Sequence, residues 1–105
     1  MTYEEIVDKV KKRLTDVKDK DLSGFLAIQV NITGEGEGAF YVEVKDGKLS
    51  VEPYEYNDRQ AKVIMDSKNF LKLMDGKLDP VFAFTTGKLK IEGSVEKVLE
   101  FSKLL

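Results

Sequence analysis

Near the start of the chain, apolar residues recur at intervals of three and four. Tyr3, Ile6, Val7, Val10, Leu14 and Val17 form one stripe, with lysines and acids filling the positions between them. That period predicts an amphipathic helix with a single apolar face. Thr2-Tyr3-Glu4-Glu5 sets a hydroxyl and a carboxylate three residues apart, the spacing of a capping box. Beyond Gly24 the period changes to two. Leu26, Ile28, Val30 and Ile32 alternate with Phe25, Ala27, Gln29, Asn31 and Thr33, which predicts a strand over residues 25–33. Phe40, Val42 and Val44 alternate with Tyr41, Glu43 and Lys45 in a second strand. Leu49 and Val51 carry a third strand, which Pro53 stops. Asp46-Gly47 between the last two is a tight-turn signal. Gly34-Glu35-Gly36-Glu37-Gly38 has the look of a dinucleotide-binding loop, but that motif must open a helix. A strand follows here, so the glycines read as a flexible hairpin.

In the second half, Ala61, Val63 and Met65 predict a fourth strand. Asp66 or Ser67 then caps a short helix carrying Phe70, Leu71, Leu73 and Met74, closed by Gly76. Asp79-Pro80 pairs a cap with proline at the first helical position. It opens a helix of Val81, Phe82, Ala83 and Phe84, ended by Gly87. Lys88–Glu92 alternates as a fifth strand with one wet face. Gly93-Ser94 starts a last helix bearing Val95, Val98, Leu99, Phe101, Leu104 and Leu105. Thr86-Gly87-Lys88 is not a phosphate loop, because Phe82 stands where the first glycine belongs and Leu89 where the magnesium hydroxyl belongs. Residues 81–84 are apolar all round, and in the last helix Phe101 and Leu104 are expected to point away from Val95 and Val98. Both helices therefore call for apolar surroundings on more than one side. Neighbouring helices, a dimer interface or the wall of a lipid cavity would each supply them.

The 105 residues match one domain, 1–105, with no internal repeat or linker. A net charge of −2 gives no reason to expect nucleic acid as a partner or broad affinity for anionic membranes. Nothing approaches a membrane span, so stable membrane insertion is not expected. The charged opening Tyr3-Glu4-Glu5 is unlike a signal peptide, and a cytoplasmic location follows. The chain contains no cysteine and no histidine. Disulfides, thiolate chemistry, the Ser-His triad and His-ligated zinc are thereby excluded. The carboxylates are spread among lysines in the manner of a solvated surface. No enzymatic activity and no cofactor or metal is expected.

Ala83-Phe84-Thr85-Thr86-Gly87-Lys88-Leu89-Lys90-Ile91-Glu92-Gly93 resembles the hallmark of the sterol carrier protein type 2 family, where an Ala-Phe pair precedes Gly-Lys-Leu-Lys-Ile and a closing Gly. Phe70-Leu71-Lys72-Leu73-Met74-Asp75-Gly76-Lys77-Leu78-Asp79-Pro80 is similar to the family's Phe-Leu…Met-x-Gly-Lys…Pro helix and turn. Val44-Lys45-Asp46-Gly47-Lys48 is similar to its meander turn. The resemblance covers essentially the whole chain.

The resemblance implies an α+β fold: a five-stranded, mostly antiparallel (mixed) sheet with helices packed on one face, enclosing a hydrophobic tunnel. It implies binding and transfer of a small-molecule lipid ligand such as a fatty acid, a fatty acyl-CoA or a sterol. Carried over, the tunnel wall would comprise Phe70, Leu73, Met74, Val81, Phe82, Phe84, Val98, Leu99 and Phe101. Gln29, Asn31, Lys18 and Lys20 are candidates for a headgroup contact, although an exposed strand face accounts equally for the first pair. The family often has an apolar residue where Lys97 stands and a small one at Val98, so the tunnel is expected to be narrower here. Ser102-Lys103-Leu104 resembles a peroxisomal address, but Leu105 follows it, and no such targeting is expected. The alternative role is an accessory module that presents an apolar substrate to a partner enzyme or dimerises through its last helix. The expected oligomeric state is a monomer or weak homodimer.

Overall fold

In the computed structural model, residues 2–15 and 24–105 are described. The first helix, α1 (Tyr3–Thr15), is followed by three strands, β1 (Leu26–Thr33), β2 (Gly38–Lys45) and β3 (Lys48–Glu52). Then come β4 (Ala61–Asp66), α2 (Ser67–Met74), α3 (Pro80–Thr85), β5 (Leu89–Gly93) and α4 (Val95–Ser102). All nine elements among the described residues were expected from the residue pattern; Val17, assigned to the first stripe, lies outside the described residues.

The strands form one sheet in the order β3-β2-β1-β4-β5. β1 runs parallel to β4, with Val30 opposite Val63, and every other pair is antiparallel. The sheet is therefore mixed and mostly antiparallel, as expected. β2 turns into β3 over Asp46 (φ +54°) and Gly47 (φ +76°), two successive left-handed residues that match the twist of a tight hairpin. Leu26, Ile28, Val30 and Ile32 of β1 share a buried face with Phe40, Val42 and Val44 of β2, Ala61, Val63 and Met65 of β4, and Leu89 of β5. The helices cover that face. Ile6, Val7, Val10 and Leu14 of α1 enter the same core, as do Phe70 and Met74 of α2, Ala83 of α3, and Val98 and Phe101 of α4.

The helix ends follow the capping chemistry read in the sequence. The Thr2 amide donates to Glu5 Oε1 (2.9 Å) and the Glu5 amide to Thr2 Oγ1 (3.2 Å). Of the two candidates for the α2 cap, Asp66 is the one used, accepting from the Lys68 amide at 3.0 Å. Asp79 accepts from the Phe82 amide at 2.9 Å, with Pro80 at the first turn. Ser94 accepts from the Lys97 amide at 3.2 Å.

Candidate functional site

Three short helices carry the residues expected to bind a ligand. α2 lies over β4 and β1, α3 over the edge strand β5, and α4 over β1, β4 and β5. Their positions are set by tight exits. After α3, the Gly87 amide donates to the Phe84 carbonyl (3.3 Å) and the Lys88 amide to the Ala83 carbonyl (2.8 Å), with Gly87 at φ +80°. This paired closure turns the chain directly into β5. After α2 the same closure recurs, with the Lys77 amide donating to the Lys72 carbonyl at 2.8 Å.

Of the nine expected wall residues, Phe70, Met74, Val98 and Phe101 are fully buried and join one core. Phe70 meets Phe40 edge-to-face, with ring centroids 6.1 Å apart. Leu73 is half-buried against that core and Leu99 is half-buried on α4. Val81, Phe82 and Phe84 are 55%, 52% and 43% exposed. The expectation that α3 has apolar surroundings on several sides is thus corrected. A helix of six residues lying on an edge strand touches the sheet along one side only, and Ala83 is the residue it buries.

The reading of α4 is corrected as well. Val98 and Phe101 share its buried face, and Val95 is 40% exposed. Residues three apart lie close together on a helix, so Phe101 sits near Val98 rather than opposite it. The outer side of α4 is charged, with Lys97 Nζ 3.3 Å from Glu100 Oε2. Leu78, which pattern reading did not single out, also packs against the core. Its signal is an apolar residue immediately before a helix cap.

The polar candidates lie elsewhere. Gln29 is only 2% exposed, on the sheet face opposite the helices. Its Nε2 donates to Asn31 Oδ1 (2.8 Å) and its Oε1 accepts from the Tyr56 amide (3.1 Å). It is neither on an exposed face nor free to meet a headgroup, because the loop after β3 folds over it. Tyr56 packs edge-to-face on Tyr41 with centroids 4.9 Å apart, and its hydroxyl donates to Glu43 Oε2 at 2.6 Å. That hydrogen bond to a carboxylate, with some burial, pushes the phenol up to about 12. Lys18 and Lys20 lie outside the described residues. Among the described residues there is no cluster of acidic groups that could hold a metal, and no helix is long and apolar enough to cross a membrane. Among the described residues, what α2 and α4 bring together over the sheet is apolar contact.

The family model for the SCP-2 sterol transfer family matches residues 7–105. Sterol carrier protein 2 of Homo sapiens is 32% identical over 94% of this chain. Hydroxysteroid dehydrogenase-like protein 2 of Xenopus tropicalis is 37% identical over 73%. In each case the chain spans 19% of the relative's length. The solution structure of palmitated SCP2L2 from Aedes aegypti superposes with a TM-score of 0.75 at 20% identity, covering 99% of this chain and 94% of that one, which shows the shared fold. With a family match from residue 7 to residue 105, the chain belongs to the SCP-2 sterol transfer family.

Proposed function

We propose that this chain binds and transfers lipids without chemistry of its own, holding the apolar part of a fatty acid, fatty acyl-CoA or sterol-like molecule between the sheet and helices α2, α3 and α4. The observation that carries the reading is the set of apolar residues that α2 and α4 present over one sheet face. Phe70, Leu73, Met74, Val98, Leu99 and Phe101 form the inner wall, and Val81, Phe82 and Phe84 of α3 stand at its mouth. Family membership and the palmitate carried by the Aedes aegypti relative support this choice of ligand. A chain of about 16 methylenes buried at about 0.8 kcal/mol each gains about 13 kcal/mol. Association and ordering cost about 4–15 kcal/mol. With a cost of about 5 kcal/mol, near the low end of that range, the remaining gain of about 8 kcal/mol corresponds to micromolar binding, which permits loading and unloading.

Titration with a fluorescent fatty acid tests this. Binding should saturate in the micromolar range and be competed by unlabelled lipid. A flat signal from folded protein removes the reading. A second role, presentation of an apolar substrate to a partner enzyme, is favoured by one observation: the curated relatives are about five times longer than this stretch. Native mass spectrometry separates the two, since co-purified lipid supports a carrier and an empty stable dimer supports the module.

A further inference from the structure

We propose that the outer edge of β5 is a pairing surface for a second copy of this chain, which adds its own β5 antiparallel to the first. β5 ends the sheet, with β4 as its one neighbour. The Ser94 amide donates to the Gln60 carbonyl at 3.1 Å, and Ala61 stands opposite Gly93. Together these fix which backbone groups of β5 turn toward β4. In an antiparallel ladder the groups alternate, so those of Lys90 and Glu92 face β4 and those of Leu89 and Ile91 face outward. Among the described residues, no hydrogen bond reaches these outward groups. An edge left open in this way is a template for a further strand. The opposite edge ends differently: β3 runs into Pro53, and the Glu52 carbonyl accepts from the Tyr54 amide at 2.9 Å.

Charge selects the occupant. Leu89 is buried beneath the helices, so the alternate residues Lys90 and Glu92 lie on the other face of the sheet, and both are exposed. They flank Ile91. When two β5 strands pair antiparallel about Ile91, Lys90 of each copy comes opposite Glu92 of the other. Symmetry makes two such pairs, and opposite charges facing each other across strands attract. Centring the pairing on Lys90 would instead set two lysines together, and centring it on Glu92 would set two acids together. The strand is therefore complementary to itself in one register. Lys62 lies 3.7 Å from the Glu92 carboxylate on the β4 side and leaves that side chain 61% exposed. In the same register Ile91 meets Ile91 and can exchange both of its outward hydrogen bonds. The twofold axis stands perpendicular to the sheet, so the helices of both copies lie on one side. α3, which lies over β5, then flanks the seam in each copy, where its exposed Val81, Phe82 and Phe84 can be covered. One five-residue strand is a small contact, which gives a reversible dimer with a dissociation constant between about 1 μM and about 1 mM. This pairing does not depend on the proposed lipid site, so a flat fatty-acid titration would leave it standing.

Sedimentation equilibrium of the parent and of charge variants tests the pairing. The parent should dimerise reversibly. Lys90→Glu and Glu92→Lys should each raise the dimer dissociation constant at least about tenfold, because either change turns two attractive cross-strand pairs into repulsive ones. Mixed one to one, the two variants should associate with each other about as well as the parent does with itself, since each supplies the sign that the other lost. Lys48→Glu, on the far edge strand β3, should leave the parent's dimer unchanged. Both substituted residues of β5 are exposed, and circular dichroism of each variant should match the parent. Hydrogen exchange on the parent needs no variant: the Ile91 amide should gain protection as protein concentration rises. The proposal is overturned if the parent stays monomeric to about 1 mM, the weak end of the expected range, or if Ile91 exchange ignores concentration. It is also overturned if the mixed variants fail to associate, or if Lys48→Glu weakens the dimer as much as Lys90→Glu, for then the seam is elsewhere.

Discussion

Tyr56 titrates late because its hydroxyl donates to the Glu43 carboxylate at 2.6 Å, so ionising it would forfeit that bond and set two anions together. Its pKa is raised to about 12, whereas an unfolded tyrosine titrates near about 10. The folded state thus holds this proton more tightly. The stability it contributes is complete below about pH 10 and is lost as pH rises from about 10 to about 12. An alkaline absorbance titration of the parent should show a late phenolate step that Tyr56→Phe removes, and denaturation across that window should weaken the parent more steeply than the variant. A late step persisting in Tyr56→Phe would assign the shift to another tyrosine. Tyr3 and Tyr41 are candidates, each raised chiefly by burial. The same cluster marks a limit of pattern reading. Alternation correctly put Gln29 on the face opposite the core, but its burial comes from a loop 27 residues away in sequence. No local feature of β1 announces that cover.

Capping chemistry, being local, was legible at every helix start, and both glycine exits were placed correctly. α3 depends on such ends most, because a helix of six residues has little propagation to offset its nucleation. Asp79→Ala should cost about 0.5–2 kcal/mol in chemical denaturation. A neutral result would mean that packing of Ala83 alone holds the helix. The glycine run before β2 was only half legible. It is a hairpin, but Gly38 has a fixed neighbour: a Cβ there would stand 2.4 Å from the Tyr3 ring, whose hydroxyl donates to the Ala39 carbonyl. Gly38→Ala should therefore cost about 1–3 kcal/mol by overpacking the start of α1 against the sheet. In a double-mutant cycle with Tyr3→Ala, the coupling should exceed about 0.5 kcal/mol. Additive effects would mean that the backbone at Gly38, and not the ring, resists the substitution.

At the scale of the molecule, the period-two segments announced five strands, but not their order. The parallel pairing of β1 with β4 joins segments more than 30 residues apart and leaves no mark in either. That pairing sets α2, which follows β4, over the centre of the sheet, with α4 beside it and α3 out at β5. The apolar helix faces were legible because burial leaves a composition signal. Which of them point inward was not, since the strand order decides it. The placement changes the choice of test for the proposed ligand site. Phe84 is 43% exposed, so an aspartate there can keep its charge in water and should weaken lipid binding only modestly. Leu73 and Leu99 are half-buried, and Leu73 packs against the core without belonging to it. A carboxylate at either site meets the acyl chain, and Leu73→Asp and Leu99→Asp should each raise the dissociation constant for a fluorescent fatty acid at least about tenfold, equivalent to about 1.4 kcal/mol. Glu92→Ala, on the solvated side of β5, should leave it within about twofold, a few tenths of a kcal/mol. Circular dichroism must show all four variants folded. Equal losses in Glu92→Ala and Leu73→Asp would move the site off the helix-covered face of the sheet, and a larger loss in Phe84→Asp than in Leu73→Asp would move it outward onto α3.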